Sequence, residues 1–96
     1  MSLQIEKSHL DIVKAIFKNR KVIVYAFGSR TKGNAQKFSD LDLVVKSQIS
    51  KSELHELRSL FEESNLPFKV DLIVWGQIDT IFQNHIEKDL VQLNLS

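Results

Sequence analysis

The chain has 96 residues, of which 43% are hydrophobic and 26% charged, and its formal net charge at pH 7 is +1. This length suits one small domain, so we expect a single folded unit over residues 1–96. The sequence contains no cysteine, which excludes a disulfide framework and a thiolate metal site and agrees with a cytoplasmic protein. Apolar runs of about six residues fall well short of the ~20 that span a bilayer, and residues 1–10 lack the apolar core of a secretory signal. The small net charge disfavours broad binding to nucleic acid.

The first predicted elements are a helix and a strand. Apolar side chains recur at helical spacing over residues 3–17 and predict an amphipathic helix. The continuously apolar run at residues 22–27 predicts a strand that is covered on both faces, and therefore lies inside the sheet. Gly28-Ser29-Arg30 predicts a turn, with one helical turn beginning at Ser29, and Gly33-Asn34 predicts a second turn.

The remaining elements follow a loop that leads into a second strand, residues 40–46. Ser50 and Glu53 fit a capping box, which predicts a helix with an apolar stripe at Leu54, Leu57, Leu60 and Phe61, ended by Asn65-Leu66-Pro67. Residues 68–75 predict a third strand, and residues 78–87 predict a last helix. That helix is expected to turn Ile81, Phe82 and Ile86 inward. Residues 91–93 predict a short terminal strand.

Three acidic residues stand in or beside the predicted strands. Asp40 and Asp42 are two positions apart, so in a strand their side chains project to the same side. Two carboxylates about 5 Å apart repel by roughly 3 kcal/mol at an effective dielectric constant near 20. Asp71 lies within an otherwise apolar strand, where an acid is costly unless it is paired or bound to metal. The pattern indicates a Mg²⁺ site, and three carboxylates could hold two ions about 4 Å apart.

The turn at residues 28–30 provides the candidate phosphate ligands. Gly28 permits the backbone to approach a ligand closely, and amide groups at the start of a following turn attract anions. Ser29 adds a hydroxyl donor, and Arg30 adds a guanidinium group that matches phosphate oxygens. The sequence therefore predicts a polyphosphate site at Gly28, Ser29 and Arg30 beside the metal site.

The order and spacing of these residues resemble the minimal nucleotidyltransferases of the DNA polymerase β superfamily. The shared pattern is Gly28-Ser29, an interval of ten residues, the Asp-Leu-Asp motif that begins at Asp40, and the later strand acid Asp71. The resemblance covers nearly the whole chain and implies an α/β (α+β) fold, a mixed β-sheet flanked by helices. It also implies that Asp40, Asp42 and Asp71 bind Mg²⁺, with Asp71 helping to activate the acceptor hydroxyl. Gly28 and Ser29 would then bind the outer phosphates of a nucleoside triphosphate.

The resemblance also suggests a biological context. Larger relatives carry a further helical domain that recognises the acceptor, so we expect a separate protein to supply that surface here. Small members resemble the antitoxins encoded beside HEPN-domain ribonuclease toxins, which implies ATP as substrate, transfer of AMP to a tyrosine of the toxin, and a homo- or hetero-oligomer. The chain departs from many relatives at Thr31-Lys32, where they have a small residue and arginine.

Other interpretations stay open at this point. The chain could be a catalytically idle binding module that neutralises a partner, or it could transfer nucleotide to a small-molecule alcohol or an RNA end. An isolated Asp-x-Asp is most often a solvated turn, and Lys69 by itself indicates a solvated rim. His9, His55 and His85 lack the spacing of a histidine metal site.

Overall fold

The computed structural model describes residues 2–95, so the first and last residues of the expected unit lie outside the described range. In this range three helices, α1 (Lys7–Phe17), α2 (Lys51–Glu62) and α3 (Thr80–Glu87), pack on four strands, β1 (Val24–Phe27), β2 (Leu41–Val45), β3 (Val70–Val74) and β4 (Val91–Gln92). Single helical turns are present at Ser29–Thr31 and Trp75–Gln77. None of the described helices has the length and apolar character needed to cross a membrane.

The strands form one mixed sheet in the order β3-β2-β1-β4. Strand β1 is antiparallel to both of its neighbours, β2 and β4, whereas β2 and β3 are parallel. The predicted mixed sheet with flanking helices is therefore confirmed, as is the interior position of β1. The terminal strand predicted at 91–93 is also present, as β4.

The main hydrophobic core lies between one side of the sheet and helices α1 and α2. Alternate residues of β2 and β3, such as Leu43 and Leu72, meet Phe17 of α1 and Leu57 of α2, and all four are almost completely buried. Helix α2 begins where the capping pattern predicts, since the Ser50 hydroxyl accepts a hydrogen bond of 3.0 Å from the Glu53 amide. The Glu53 carboxylate accepts a hydrogen bond from Arg20 at 3.4 Å.

The first helix starts later than predicted. Residues 3–6 precede α1 and are not helical, because the main chain of Gln4 is bound to Arg30. The Gln4 amide donates to the Arg30 carbonyl at 2.7 Å, and the Gln4 carbonyl accepts from Arg30 Nη1 at 2.8 Å. These contacts between distant parts of the sequence hold the segment away from the helix that its apolar spacing suggested.

Helix α3 packs on the opposite side of the sheet and buries a narrower stripe than predicted. Ile86 is buried against Phe27 and Val44, as expected. The prediction that Ile81 points inward is wrong, since its side chain is 82% exposed, and Phe82 retains 38% exposure while its ring contacts Phe27 edge-on. The helix starts at Thr80, with Asp79 as its cap. Because α3 has only eight residues and packs on a small apolar cluster, it buries one narrow stripe of side chains.

Candidate active site

Two of the predicted acids occupy paired positions on neighbouring strands. Asp42 of β2 and Asp71 of β3 are register partners in the parallel pair, so their side chains project to the same side of the sheet, from strands about 4.8 Å apart. Asp40 lies one residue before β2 and two residues before Asp42. This side is the one that carries Val44, Ile73 and helix α3, opposite the main core. We call the end of this side that bears Asp40, Asp42 and Asp71 the acid face.

The acid face brings three negatively charged carboxylates close together. The pKa of Asp42 is raised, chiefly because the carboxyl is partly buried and further because Asp71 and Asp40 repel its ionised form. The ammonium group of Lys69 opposes this rise. Asp40 and Asp71 are exposed, so water screens them more than Asp42. A cation placed at this face would relieve repulsion that centres on Asp42.

The donor set fits Mg²⁺ without forming a closed cage. Among residues 2–95 no three histidine or acidic side chains converge closely enough to hold a metal ion by themselves. Mg²⁺ commonly takes only one or two carboxylates from a protein and completes its shell with water and substrate phosphates. The paired Asp42 and Asp71 supply that kind of partial, oxygen-only site.

Gly28 adjoins the acid face directly. It follows the last residue of β1, Phe27, which is the register partner of Asp42. Its φ angle is +82°, and a Cβ atom at this position would lie 2.5 Å from Asp42 Oδ2. Both the backbone conformation and the space therefore require glycine here. The glycine turn and the second acid of the Asp-Leu-Asp motif are in contact.

Ser29 begins the single helical turn that follows Gly28. The turn is closed by Thr31, whose amide and hydroxyl both donate to the Gly28 carbonyl, at 3.0 and 2.9 Å. Thr31 is buried, whereas Ser29 keeps partial exposure. Ser29 is therefore a partly exposed residue next to Gly28 at the edge of the acid face, and the hydrogen bonds of Thr31 hold the turn closed.

Arg30 does not have the position predicted for a phosphate ligand. Its side chain is 5% exposed and its guanidinium group donates to the carbonyls of Gln4, Lys37 and Ser39 at 2.8–3.3 Å. The group also stacks on the Phe68 ring, 4.2 Å from its centre, and its burial lowers its pKa. The structure thus corrects the prediction: the donors of the Arg30 side chain join the N-terminal segment to the loop before β2, and they are not free for phosphate.

Lys69 is a residue of the site that sequence reasoning assigned to a solvated rim. Its carbonyl accepts a hydrogen bond of 2.9 Å from the Leu41 amide, and the Leu41–Val70 pairing places it opposite Asp40. It also lies two residues before Asp71, so the two share a side of β3. The spacing of Lys69 and Asp71 was visible in the sequence, but the proximity of Lys69 to Asp40 depends on how β3 pairs with β2.

A groove of about 540 Å³ opens beside the acid face, between α2 and the outer edge of β3. Lys69 and Asp71 line it, together with Arg58 and Phe61 of α2. Strand β3 is an edge of the sheet, and Arg58 covers part of that edge by donating to the Leu72 carbonyl at 2.8 and 3.1 Å. The groove gives a second molecule access to Asp71.

Comparisons with known proteins identify the family and the fold of the chain. Residues 6–94 match the protein family described as "Polymerase beta, Nucleotidyltransferase". The chain is 41% identical over 90 residues, covering 90% of this chain and 79% of the relative, to the "Probable protein adenylyltransferase MntA" of Haemophilus influenzae. Among solved structures, a toxin-antitoxin crystallised with AMP-PNP superposes with a TM-score of 0.69 at 22% identity, over 91% of this chain and 73% of that chain. A mutant of the toxin-antitoxin MntA-HpeT gives a TM-score of 0.67 at 22% identity, over 96% and 75% of the two chains. These structures show a polymerase-β-like fold.

Proposed function

Because the chain belongs to the polymerase beta nucleotidyltransferase family, we propose that it transfers AMP from ATP to a hydroxyl group of a protein, in a reaction that requires Mg²⁺. The observation that carries this proposal is the pairing of Asp42 with Asp71, with Gly28 against the Asp42 carboxylate. Acids that repel one another and adjoin a glycine turn are suited to divalent ions and a polyphosphate.

Each residue of the acid face has a distinct role in this proposal. Asp40 and Asp42 would hold Mg²⁺, and Asp71 would complete the ligand set. The ions, when bound, would neutralise charge on the phosphate oxygens during in-line displacement. Ser29 would donate its hydroxyl to the outer phosphates, beside a backbone that Gly28 allows to approach closely.

In this proposal Asp71 acts on the acceptor. It is exposed and lines the groove along β3, where a protein hydroxyl can approach. As a carboxylate it would accept or orient the proton of that hydroxyl, so that the oxygen attacks the α-phosphorus and pyrophosphate leaves. The chain would thus bind the nucleotide on the β1 side of the acid face and the acceptor on the β3 side.

The proposed acceptor is a tyrosine of a HEPN-type toxin. The support is the name of the relative, which describes a protein adenylyltransferase, and the two structural neighbours, which are toxin-antitoxin structures, one with AMP-PNP. The chain would then act as an antitoxin in a complex with its toxin, in the cytoplasm.

The test is label transfer to the protein encoded by the neighbouring gene, which the proposal expects to be the toxin. With Mg²⁺, ATP labelled at the α-phosphate should label the toxin, and ATP labelled at the γ-phosphate should not, because AMP rather than phosphate is transferred. Asp42→Asn should reduce labelling by at least about 1,000-fold, which corresponds to about 4 kcal/mol. Asp11→Asn is the matched control, since Asp11 lies on α1 and pairs with Lys7 at 3.3 Å. The catalytic proposal fails if no α-label is transferred or if Asp42→Asn leaves transfer unchanged.

The alternative of an idle binding module has its own discriminating measurement. Mg²⁺ with ATP should raise the melting temperature of the active chain by mass action, and Asp40→Asn should abolish that rise without lowering the metal-free melting temperature. In an idle module the acids would serve only the fold, so Mg²⁺ with ATP would have no effect and Asp40→Asn would lower stability.

A further inference from the structure

A basic side chain, that of Lys69, lies beside the acids of the acid face. Lys69 lies one residue before β3 and two residues before Asp71, and the extension of the β2–β3 pairing places it opposite Asp40. Its side chain is exposed, and in residues 2–95 no ion pair within 4 Å restrains its ammonium group. Lys69 therefore combines a fixed backbone position beside the acids with a mobile charge on a flexible stem.

We propose that Lys69 is the cation that balances the acid face before substrate binds, and that its ammonium group turns to the nucleotide phosphates once Mg²⁺ and nucleotide are bound. The inference rests on the proposed nucleotide site and assigns a positioning residue within it. Lys69 would then disfavour Mg²⁺ alone and favour Mg²⁺ that arrives with a triphosphate. The acids would be loaded by the metal–nucleotide complex rather than by free metal.

Two physical arguments support this assignment. An ammonium group near two carboxylates stabilises their ionised forms, and the strand pairing sets Lys69 opposite Asp40 and two residues before Asp71. A divalent cation that enters the same face meets a positive charge, so its binding is penalised unless the ammonium group moves away. The phosphates of a nucleotide give that group a new, strongly negative partner, and the unbranched lysine stem allows it to move without any change in the strand.

The proposal predicts that removing the charge of Lys69 changes the affinity for free Mg²⁺ and the affinity for nucleotide in opposite directions. In the full chain, Lys69→Gln should tighten the Kd for Mg²⁺ alone about tenfold, because a repelling charge is removed. The same variant should weaken the Kd for a non-hydrolysable ATP analogue with Mg²⁺ about tenfold, because a phosphate contact is lost. Both constants are measured by calorimetry. A residue that only supports the fold would move both in the same direction or neither, and either of those results overturns the proposal.

Two further variants serve as controls. Lys69→Arg keeps the charge and should leave both constants within about twofold of the wild type. Lys21→Gln removes the same charge from an exposed residue that precedes the start of β1, whereas Gly28 and the acid face lie at the other end of that strand. This variant should leave both constants unchanged. A Lys21→Gln variant that reproduces the two shifts would show that they follow net charge, and would overturn the role of Lys69.

A double-mutant cycle separates this proposal from the proposed function. In buffer with EDTA, Lys69→Gln should lower the melting temperature of the wild type, and this loss should be at least halved in an Asp40→Asn background. The cycle needs neither metal nor nucleotide. If the wild type binds no nucleotide, the proposed function fails and the cycle alone decides: coupling supports Lys69 as the balancing cation, and no coupling overturns it.

Discussion

The two sides of the sheet differ in what the same strands present to them. On the side of α1 and α2, β2 and β3 contribute Leu41, Leu43 and Leu72, all essentially inaccessible to water. On the other side, the same strands contribute Asp42 and Asp71, and α3 covers only a small cluster around Phe27 and Val44. Each of these strands therefore alternates between buried aliphatic residues that stabilise the fold and an acid whose like-charged neighbours oppose folding.

This difference indicates that the residues that stabilise the fold and the candidate active-site residues lie on opposite faces of the sheet. Burial of aliphatic side chains at the main core offsets the repulsion at the acid face. Substitutions on one side should therefore change unfolding, and substitutions on the other should change transfer with little effect on unfolding. The predictions below test that separation, beginning with the largest expected effect.

Leu43→Ala should break the core side. Leu43 is 0% exposed, so the substitution removes buried methyl groups and leaves a cavity, at a cost of about 3 kcal/mol in the free energy of unfolding. Chemical denaturation measures it. Transfer per folded molecule, at a temperature where the variant remains folded, should stay within about twofold of the wild type. A stable but inactive Leu43→Ala variant would contradict the separation of the two sides.

Gly28→Ala should displace the Asp42 carboxylate and lower transfer. A methyl group here would meet Asp42 Oδ2 at 2.5 Å, so the carboxylate must move. The backbone of Gly28, with φ 82° and ψ −155°, also lies in a region almost confined to glycine, so alanine would be strained by about 1–3 kcal/mol. Transfer should fall at least about 100-fold, which corresponds to about 3 kcal/mol.

Gly33→Ala is the matched control for this substitution. Gly33 has a φ angle of +80°, but nothing lies within 4 Å of the added Cβ. It should show the strain alone, with stability reduced by about 1 kcal/mol and transfer nearly unchanged. Equal losses of transfer in the two variants would mean that contact with Asp42 is not what requires glycine at position 28.

Arg30→Lys distinguishes the structural position of Arg30 from the predicted phosphate contact. Lysine keeps the charge but cannot donate to the Gln4 and Ser39 carbonyls at once, so we expect a loss of about 2 kcal/mol in the free energy of unfolding. The Kd for nucleotide, measured on the folded variant, should change little. Unchanged stability with weakened nucleotide binding would restore Arg30 as a phosphate ligand.

Asp42→Asn should give the smallest change in stability among these predictions, a gain that is measured without metal. Because the folded-state pKa of Asp42 is raised, the protonated form is favoured on folding, and that contribution is lost as pH rises through the folded pKa. At pH 7 the substitution should therefore add about 1 kcal/mol, after allowance for solvent screening. Below the unfolded-state pKa the difference from the wild type should vanish. Unfolding in EDTA at the two pH values measures it, and a loss of stability at pH 7 would contradict the account of the acid face.

Much of the fold and part of the site were predictable from local pattern. Short apolar runs predicted the strands, and helical spacing of apolar residues predicted the helices, since side-chain direction repeats every 3.6 residues in a helix. Gly28-Ser29 and the acids were predicted as candidates from residue type and spacing, and the register of Asp42 with Asp71 agrees with the expected grouping. Their roles in binding metal and phosphate remain proposals.

Other features were decided only by contacts between distant residues. Arg30 is buried because the N-terminal segment and the loop before β2 both present carbonyls to it, and Ile81 is exposed because one short helix can bury a single stripe on a small cluster. The placement of Lys69 beside Asp40 depends on how β3 pairs with β2. Residue type and period determine which groups a segment can offer. Strand register and the packing of distant segments determine which of those groups come into contact. These contacts join residues that are far apart in the sequence, so no local periodicity relates them.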